Sequence, residues 1–204
     1  MARRGDTLEL AVLGLLHEAP MHGYELRKRL NAVLGWGRLL SYGSLYPALK
    51  RMLKAGWIAE QSAVEATAGT STGSTVGVSR RQRIVYELTE AGDARFTELM
   101  GQAGPAAWED DNFDVRFAFF SRTDMEIRLR ILEGRRTRLE ERLDRVQSQL
   151  ARTQKEMDRY ATELQRHGVE SVEREVRWLS DLIAAERRAE AKSTSPGHQP
   201  TENA

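Results

Sequence analysis

The positions of hydrophobic residues in the first part of the chain predict three helices. The first run, LELAVLGLLHEA, is apolar on nearly every side, which is typical of a helix buried on all its faces. In the next two segments apolar residues recur three and four positions apart, so each helix has one buried stripe. These stripes are Leu26, Leu30, Val33 and Leu34 in the second helix, and Leu45, Leu49, Met52 and Leu53 in the third. Gly56 stands where the third helix would close with a left-handed residue.

Two short segments after the third helix predict a β-hairpin. WIAEQSAV and RQRIVYEL are rich in β-branched and aromatic residues. The Gly, Ser and Thr residues of the segment 65–79 between them have little surface to bury, so we expect a disordered tip. After the hairpin, Thr89 predicts the N-terminal cap of a short fourth helix.

The second half of the chain has the pattern of long helices. From Met125 to Leu164 the apolar positions alternate steps of four and three, the heptad pattern of a helix that packs along its length. Gly168 is expected to end this helix, and a second apolar stripe then predicts a helix that runs back. No small core covers a helix of this length, so we expect its apolar positions to form a homodimer interface. The residues assigned to dimerisation are Leu132, Leu139, Leu143, Val146, Leu150, Met157, Leu164, Val176, Leu179 and Ile183.

These elements predict a mainly α fold with two domains and a tail. Residues 1–104 form an N-terminal winged helix-turn-helix with a two-stranded wing, and a Gly-rich stretch ending at Pro105 marks the boundary. Residues 105–190 form a C-terminal dimerisation domain built from a long helix and an antiparallel helix. Residues 191–204 are polar, contain proline and are expected to be a disordered tail.

Composition excludes several classes of protein. The chain has no cysteine, which rules out disulfides, thiolate metal sites and cysteine redox chemistry. It has no run of about 18 apolar residues, and Asp6 falls where a signal peptide needs its apolar stretch. We therefore expect a cytoplasmic protein.

Candidate catalytic residues are sparse. The histidines, His17, His22, His167 and His198, are scattered, and none has a metal-ligand spacing. No glycine-rich phosphate loop follows a strand, and Ser, His and Asp show no arrangement that would activate a nucleophile. We therefore expect no enzymatic activity, no metal site and no cofactor.

The distribution of charge points to a polyanionic partner for the N-terminal domain. Residues 1–86 contain 12 Lys and Arg against 6 Asp and Glu, a net charge of +6; because the whole chain carries +1, the remainder carries −5. Three helices followed by a hairpin is the order of a winged helix-turn-helix, in which the recognition helix enters the major groove of DNA. The sequence therefore predicts double-stranded DNA as the partner and the third helix as the recognition helix.

The exposed face of the third helix supplies the candidate DNA contacts. Pro47 has no N–H, which is harmless only in a first turn, so we expect the helix cap near Ser44. The helix N-terminus and the hydroxyl groups around it would donate to phosphate. The candidate residues are Ser41, Tyr42, Gly43, Ser44, Tyr46, Lys50 and Lys54. Alternatively, the two tyrosines are packing aromatics and the lysines a solvated face.

Three arginines at the foot of the second strand are candidate wing contacts. Arg80, Arg81 and Arg83 would bind phosphate through two parallel hydrogen bonds or enter a narrow minor groove. The alternative is a charge cluster that keeps a sheet edge soluble.

Three segments of the chain resemble, in order and spacing, the signature segments of the PadR family of bacterial transcriptional regulators. They are LELAVLGLLHEAPMHGYEL, LSYGSLYPALKRMLKAGWI and RRQRIVYELTEAG. The resemblance covers the first hundred residues closely, and the later helices are similar to the dimerisation domain of the longer PadR subfamily. It implies a homodimeric repressor, with release from DNA by phenolic or other hydrophobic molecules in some members. It also implies DNA-facing positions for Tyr24, Gly43, Ser44, Tyr46 and the wing arginines, whereas segment 65–79 is longer than the family's usual wing tip.

An aromatic group near the predicted domain boundary is the candidate effector site. Its members are Trp108, Phe113, Phe117, Phe120 and Trp178. A flat apolar ligand would fit among such rings. Large aromatic residues are also the usual residues of a core or a dimer interface, and the sequence leaves both interpretations open.

Two functions from different classes follow from these patterns. A symmetric dimer of the DNA-binding type predicts a pseudo-palindromic operator. The alternative is a winged-helix and coiled-coil module that binds proteins and no DNA. Only the DNA-binding function predicts an affinity for DNA that falls steeply with salt.

Overall fold

The computed structural model describes residues 4–33, 42–62, 84–153 and 158–194. These residues are mainly helical and include a small antiparallel sheet, which confirms the predicted fold class. No described helix combines the length and the apolar character needed to cross a membrane.

The chain divides into two compact units. The N-terminal unit comprises Met1–Gln102 and Asp110–Arg122, and the C-terminal unit comprises Ala103–Glu109 and Thr123–Ala204. The segment after Gly104 therefore contributes its first residues to the C-terminal unit and its next helix to the N-terminal unit.

Helices surround a buried central helix in the N-terminal unit. Its described elements are α1 (Arg4–Glu18), β1 (Met21–His22), α2 (Gly23–Val33), α3 (Tyr42–Lys54), β2 (Ile58–Ser62), β3 (Ile84–Leu88), α4 (Glu90–Gly101) and α5 (Asp110–Ala118), followed by a 3₁₀ turn at Phe120–Arg122. Every residue of α1 from Leu10 to Leu16 is buried, as its all-round apolar pattern predicted.

The strands form a sheet of order β1-β3-β2 in the described part of the chain. Ile58 lies opposite Leu88 and Ser62 opposite Ile84, which confirms the predicted hairpin. The pairing of β1 with the other edge of β3 was not predicted, because a strand of two residues is too short to show an alternating pattern. The predicted wing tip, 65–79, lies outside the described residues.

The C-terminal end of α3 closes as predicted. Gly56 has a φ of 73°, and its N–H donates to the Leu53 carbonyl at 3.0 Å. The Trp57 N–H donates to the Met52 carbonyl, also at 3.0 Å. These two bonds and the left-handed glycine make a Schellman motif, which satisfies carbonyl groups that the helix itself leaves unpaired.

Thr89 ties the end of α3 to the start of α4. Its hydroxyl accepts from the Gly92 N–H at 3.1 Å, as a capping side chain does, and donates to the Gly56 carbonyl at 2.6 Å. Its own N–H donates to the Trp57 carbonyl at 3.2 Å. The cap predicted from the sequence is thus confirmed, and it also fixes the base of the hairpin against α3.

Phe119, directly after α5, packs against α1 within the N-terminal unit. A Cβ on Gly14 of α1 would lie 2.5 Å from the Phe119 ring, so only glycine lets the ring approach this closely. Arg116 is buried and donates to the Leu99 carbonyl at 2.8 Å, at the C-terminal end of α4. Burial lowers the pKa of its guanidinium group from the usual value.

The C-terminal unit is a helical hairpin, with a 3₁₀ turn at Pro105–Trp108 packed against it. Its helices are α6 (Met125–Thr153) and α7 (Arg159–Thr194). The predicted end of the long helix at Gly168 is wrong, because Gly168 lies inside α7. The heptad pattern continues through both helices with the same period, so it contains no sign of the chain reversal between Thr153 and Arg159.

Apolar contacts and ion pairs hold α6 against α7. Ile131, Leu132, Leu139, Leu179 and Ile183 are buried, so these positions already have partners within one chain. The ion pairs that join the helices are Arg128–Glu186 at 2.6 Å, Glu133–Arg187 at 2.5 Å and Arg135–Glu175 at 2.7 Å. In this set the Arg135 side chain is the most buried, with 8% exposed.

The contact between Gly92 and Trp57 predicts a sharp difference between two glycines of α4. A Cβ on Gly92 would lie 1.9 Å from the Trp57 carbonyl oxygen, whereas a Cβ on Gly101 meets nothing within 4 Å. Gly92→Ala is expected to lower the free energy of unfolding by about 1–3 kcal/mol because the backbone must move. Gly101→Ala is expected to change it by less than about 1 kcal/mol, since alanine favours a helix. Urea denaturation of both variants measures this, and equal effects would contradict the close approach.

Candidate nucleic-acid interface

Helix α3 begins earlier than its sequence predicted. It starts at Tyr42, so Pro47 lies inside the helix and the predicted cap at Ser44 is wrong. Pro47 supplies no N–H to the Gly43 carbonyl, but its fixed φ is compatible with the helix. The helix tolerates this loss because Leu45, Ala48, Leu49 and Met52 anchor it to the core.

The two faces of α3 are those expected. Leu45, Leu49 and Met52 are buried, with at most 1% of each residue exposed, and Leu53 is half-buried. Gly43, Ser44, Tyr46, Lys50 and Lys54 are exposed. Among the described residues neither lysine forms an ion pair, so their charges face solvent. This exposed set of five residues is called the α3 face below.

The α3 face continues onto the start of α2. A Cβ on Gly23 would lie 3.6 Å from the Tyr46 hydroxyl oxygen, which places Tyr46 beside the first turn of α2. Tyr24, the next residue, is 65% exposed, and Tyr46 is 48% exposed. Two tyrosines from different helices therefore present rings and hydroxyl groups on neighbouring parts of the surface.

Strand β3 of the hairpin also contacts the first turn of α2. Tyr86 of β3 is buried, and a Cβ on Gly23 would lie 3.5 Å from its ring. Burial raises the pKa of the Tyr86 hydroxyl, and the nearby Glu60 carboxylate and Tyr46 raise it further. Tyr86 therefore stays protonated, and its hydroxyl can donate to Glu60 across the β2–β3 pair. The side chains of Tyr46 of α3 and Tyr86 of β3 thus meet at the first residue of α2.

Some α2 charges are committed to ion pairs within the protein. The Arg29 guanidinium lies 2.9 Å from the Glu25 carboxylate and 3.6 Å from that of Glu18. The hydrogen bond from Arg29 lowers the pKa of the Glu25 carboxyl from its usual value. Lys28 is exposed and forms no ion pair with another described residue.

Several predicted contacts lie outside the described residues. These are Ser41 and the wing residues Arg80, Arg81 and Arg83. Tyr42 begins α3. The assignment of these five residues to DNA binding stays a prediction.

One basic residue of α3, Arg51, was not among the predicted DNA contacts. Arg51 follows Lys50, and its side chain is 56% exposed. Its guanidinium lies 3.4 Å from the carboxylate of Glu9 in α1. The signal was present in the sequence, since Arg51 stands four positions after Pro47 and three before Lys54, but its partner on α1 was not visible there.

The residues assigned to dimerisation fall into two groups. Leu132, Leu139, Leu179 and Ile183 are buried between α6 and α7 of one chain. The others that the structure describes are half-buried or exposed: Leu143, Val146, Leu150, Leu164 and Val176. Met157 lies outside the described residues. Leu164 is 68% exposed and Tyr160, one turn before it on α7, is 83% exposed.

The candidate effector residues are divided between the two units. Phe113 and Phe120 are buried in the N-terminal unit, and the half-buried Phe117 ring lies 5.7 Å and 5.2 Å from their ring centres. In the C-terminal unit, Trp108 packs where a Cβ on Gly134 would lie 2.5 Å from its ring. Trp178 of α7 is 41% exposed. The Phe113 and Phe117 rings are therefore stacked, and the Phe120 ring is tilted by 58° relative to Phe117.

No group of side chains suited to a metal ion occurs among the described residues. His17, at the end of α1, contacts the Asp93 carboxylate at 3.0 Å and the Arg122 guanidinium at 2.6 Å. These are contacts of a helix-end histidine with charged neighbours.

Comparison with known proteins identifies the N-terminal half. The family model for the transcriptional regulator PadR-like family matches residues 12–98, which include α2, α3 and the described strands. No curated protein sequence matches the chain significantly. This match confirms the resemblance to the PadR family over the N-terminal part of the sequence, and the matched family is one of transcriptional regulators.

Solved structures of PadR proteins are similar over most of the chain at low identity. Bacillus subtilis PadR in complex with operator DNA is 19% identical, covering 88% of this chain and 98% of that one, with a TM-score of 0.39. The same protein in complex with p-coumaric acid is 18% identical, covering 89% and 99%, with a TM-score of 0.39. A PadR-like transcriptional regulator from Bacillus cereus is 17% identical, covering 89% and 99%, with a TM-score of 0.37.

Proposed function

We propose that the protein is a cytoplasmic, homodimeric repressor of the PadR type that binds a pseudo-palindromic DNA operator. The match of residues 12–98 to the family model for PadR-like transcriptional regulators supports this proposal. The observation that carries this proposal is the α3 face. It combines the N-terminal end of a helix, exposed hydroxyl groups and two lysines without ion-pair partners among the described residues. These are the groups that bind phosphate and the edges of bases in a major groove.

The buried stripe of α3 supports this proposal, because it leaves the polar face no role in the core. Leu45, Leu49 and Met52 fix the rotation of the helix, so Lys50 and Lys54 must point to solvent. Tyr24 of α2 and Tyr46 of α3 are exposed on neighbouring parts of the surface, which supports their proposed contacts with DNA. The proposed DNA contacts also include Tyr42, Ser41 and the wing residues Arg80, Arg81 and Arg83.

The surface of the C-terminal unit supports the proposed homodimer. Tyr160 and Leu164 leave a large apolar area exposed on α7, and Leu143, Val146 and Leu150 on α6 are only half-buried. A second copy would cover these residues, as heptad positions require. Two copies related by twofold symmetry would present two α3 faces to successive turns of the major groove.

We also propose that a flat aromatic molecule controls DNA binding. The half-buried Phe117 ring, which contacts Phe113 and Phe120, offers a surface against which such a molecule would stack. Trp108 and Trp178 are the candidate contacts within the C-terminal unit. Bacillus subtilis PadR has been solved in complex with p-coumaric acid, which makes this phenolic acid a suitable first probe.

The protein-interaction module remains the second candidate function. It is favoured by the exposed Tyr160 and Leu164, which would bind another protein as readily as a second copy. Sequencing of host genomic fragments retained by the purified protein separates the two functions. Enrichment of one palindrome supports the repressor, and uniform recovery supports the module.

Lys50→Ala is expected to weaken binding to the enriched DNA roughly tenfold, because one charged contact to phosphate is lost. It should also reduce the slope of log K against log salt by roughly 0.9 per protomer. Tyr46→Phe keeps the ring and should weaken binding without changing the slope. Fluorescence anisotropy between about 50 and 200 mM salt measures both effects.

Lys192→Ala is the matched control for charge, because Lys192 is exposed in the last turn of α7. It should leave the salt slope and the affinity unchanged. All three variants should keep the wild-type melting temperature, since their side chains are exposed. A Lys50→Ala variant that fails to fold would mean that the faces of α3 are assigned incorrectly.

Leu164→Glu is expected to convert the dimer into monomers, because it places a charge in the proposed apolar interface. The exposed position predicts little change in the fold of each monomer. Sedimentation equilibrium measures the mass, and Gln165→Glu adds the same charge one residue along the exposed helix as a control. A dimeric Leu164→Glu variant would rule out this part of α7 as the interface.

Addition of p-coumaric acid is expected to quench tryptophan fluorescence saturably and to release the protein from DNA. Cyclohexanecarboxylic acid, which has the same charge and no aromatic ring, should do neither. Saturable binding of p-coumaric acid without any change in DNA affinity would rule out the proposed switch.

A further inference from the structure

We infer that Arg51 is an additional phosphate-binding residue at the edge of the α3 face, and that Glu9 of α1 positions its guanidinium group. This inference rests on the proposed DNA binding and extends it to a second helix. It begins from the position of Arg51 on α3. Pro47 and Lys54 are its neighbours along the helix surface, and both are exposed.

The guanidinium of Arg51 is held at the first turns of α1. Its Nη2 atom lies 3.4 Å from Glu9 Oε1 and 3.8 Å from the place of a Cβ on Gly5. Glu9 is the one acceptor that this guanidinium contacts among the described residues. The contact engages one nitrogen, and 56% of the Arg51 side chain is exposed. Arginine has five N–H donors, so most of its donors face solvent beside Lys50.

The Glu9 side chain is much less exposed than that of Arg51, and this difference indicates the role of each residue. The Glu9 side chain is 13% exposed, so its carboxylate cannot follow Arg51 into solvent. A single contact at 3.4 Å on an exposed arginine adds little to stability. It does restrict a long side chain to one region of the surface, which reduces the entropy lost when that side chain binds a partner.

A DNA phosphate is the partner of matching chemistry. Its oxygens accept two parallel hydrogen bonds from a guanidinium, which a lysine at this position would not supply. The start of α1 also places the positive end of a helix dipole beside Arg51, which favours an anion there. Arg51 would therefore hold the phosphate backbone on the α1 side of α3, while Tyr24 and Tyr46 lie on the α2 side.

Removal of the Arg51 side chain tests the phosphate contact in the full-length protein. Arg51→Ala should reduce the affinity for the enriched DNA roughly tenfold and lower the salt slope by roughly 0.9 per protomer. Arg51→Lys should restore the slope but less than the full affinity, because it keeps the charge and loses the paired donors. Arg29→Ala is the control, since Arg29 is also an exposed arginine held by a glutamate of α1, Glu18. It should change neither quantity.

Two substitutions of Glu9 test its positioning role at equal charge. Glu9→Gln keeps an oxygen that accepts from Arg51, and Glu9→Ala removes it. The Gln variant should therefore bind DNA several-fold more tightly than the Ala variant. Equal affinities would overturn the positioning role of Glu9.

The outcomes also separate this inference from the proposed function. If the wild type binds DNA with a salt-dependent affinity and Arg51→Ala keeps the same slope, Arg51 makes no phosphate contact. If the wild type shows no salt-dependent binding, the proposed function itself fails and Arg51 has no phosphate to bind. A lower melting temperature for Arg51→Ala with an unchanged slope would assign the Glu9–Arg51 pair to folding alone.

Discussion

The burial of one stripe of α3 is the constraint on which the rest of the N-terminal unit depends. Leu45, Leu49 and Met52 are almost completely buried, so rotation of α3 about its axis would expose apolar surface. This stripe decides which side chains meet solvent, and it also places Tyr46 beside α2 and Arg51 beside α1. The chemistry of the surface is thus set by the packing beneath it.

Local signals in the sequence were sufficient for the parts of the fold that depend on neighbouring residues. Gly56 closes α3 and Thr89 caps α4, because each acts on backbone groups within a few positions. The solvent face of α3 was predictable for the same reason, since helical periodicity alone separates Lys50 from Leu49. The start of α3 was not, because Pro47 is tolerated inside the helix when the core holds the turns around it.

Hydrophobic periodicity could not predict contacts between residues that are far apart in the sequence. The role of Gly14 depends on Phe119, which is more than a hundred positions away, and no local pattern joins the two. Arg51 has the same character, because its partner Glu9 lies on another helix. The chain reversal between α6 and α7 was not predicted for a different reason. The two helices have the same apolar period, so their combined pattern resembles that of one long helix.

The two ends of α3 are held by different interactions. At the C-terminal end a Schellman motif and the Thr89 side chain tie the backbone to the hairpin and to α4. At the N-terminal end Pro47 removes one hydrogen bond from the first turns, and Gly43 adds a flexible backbone position. The C-terminal end of α3 is therefore fixed by hydrogen bonds to its backbone, whereas the N-terminal end depends on the burial of Leu45 in the core.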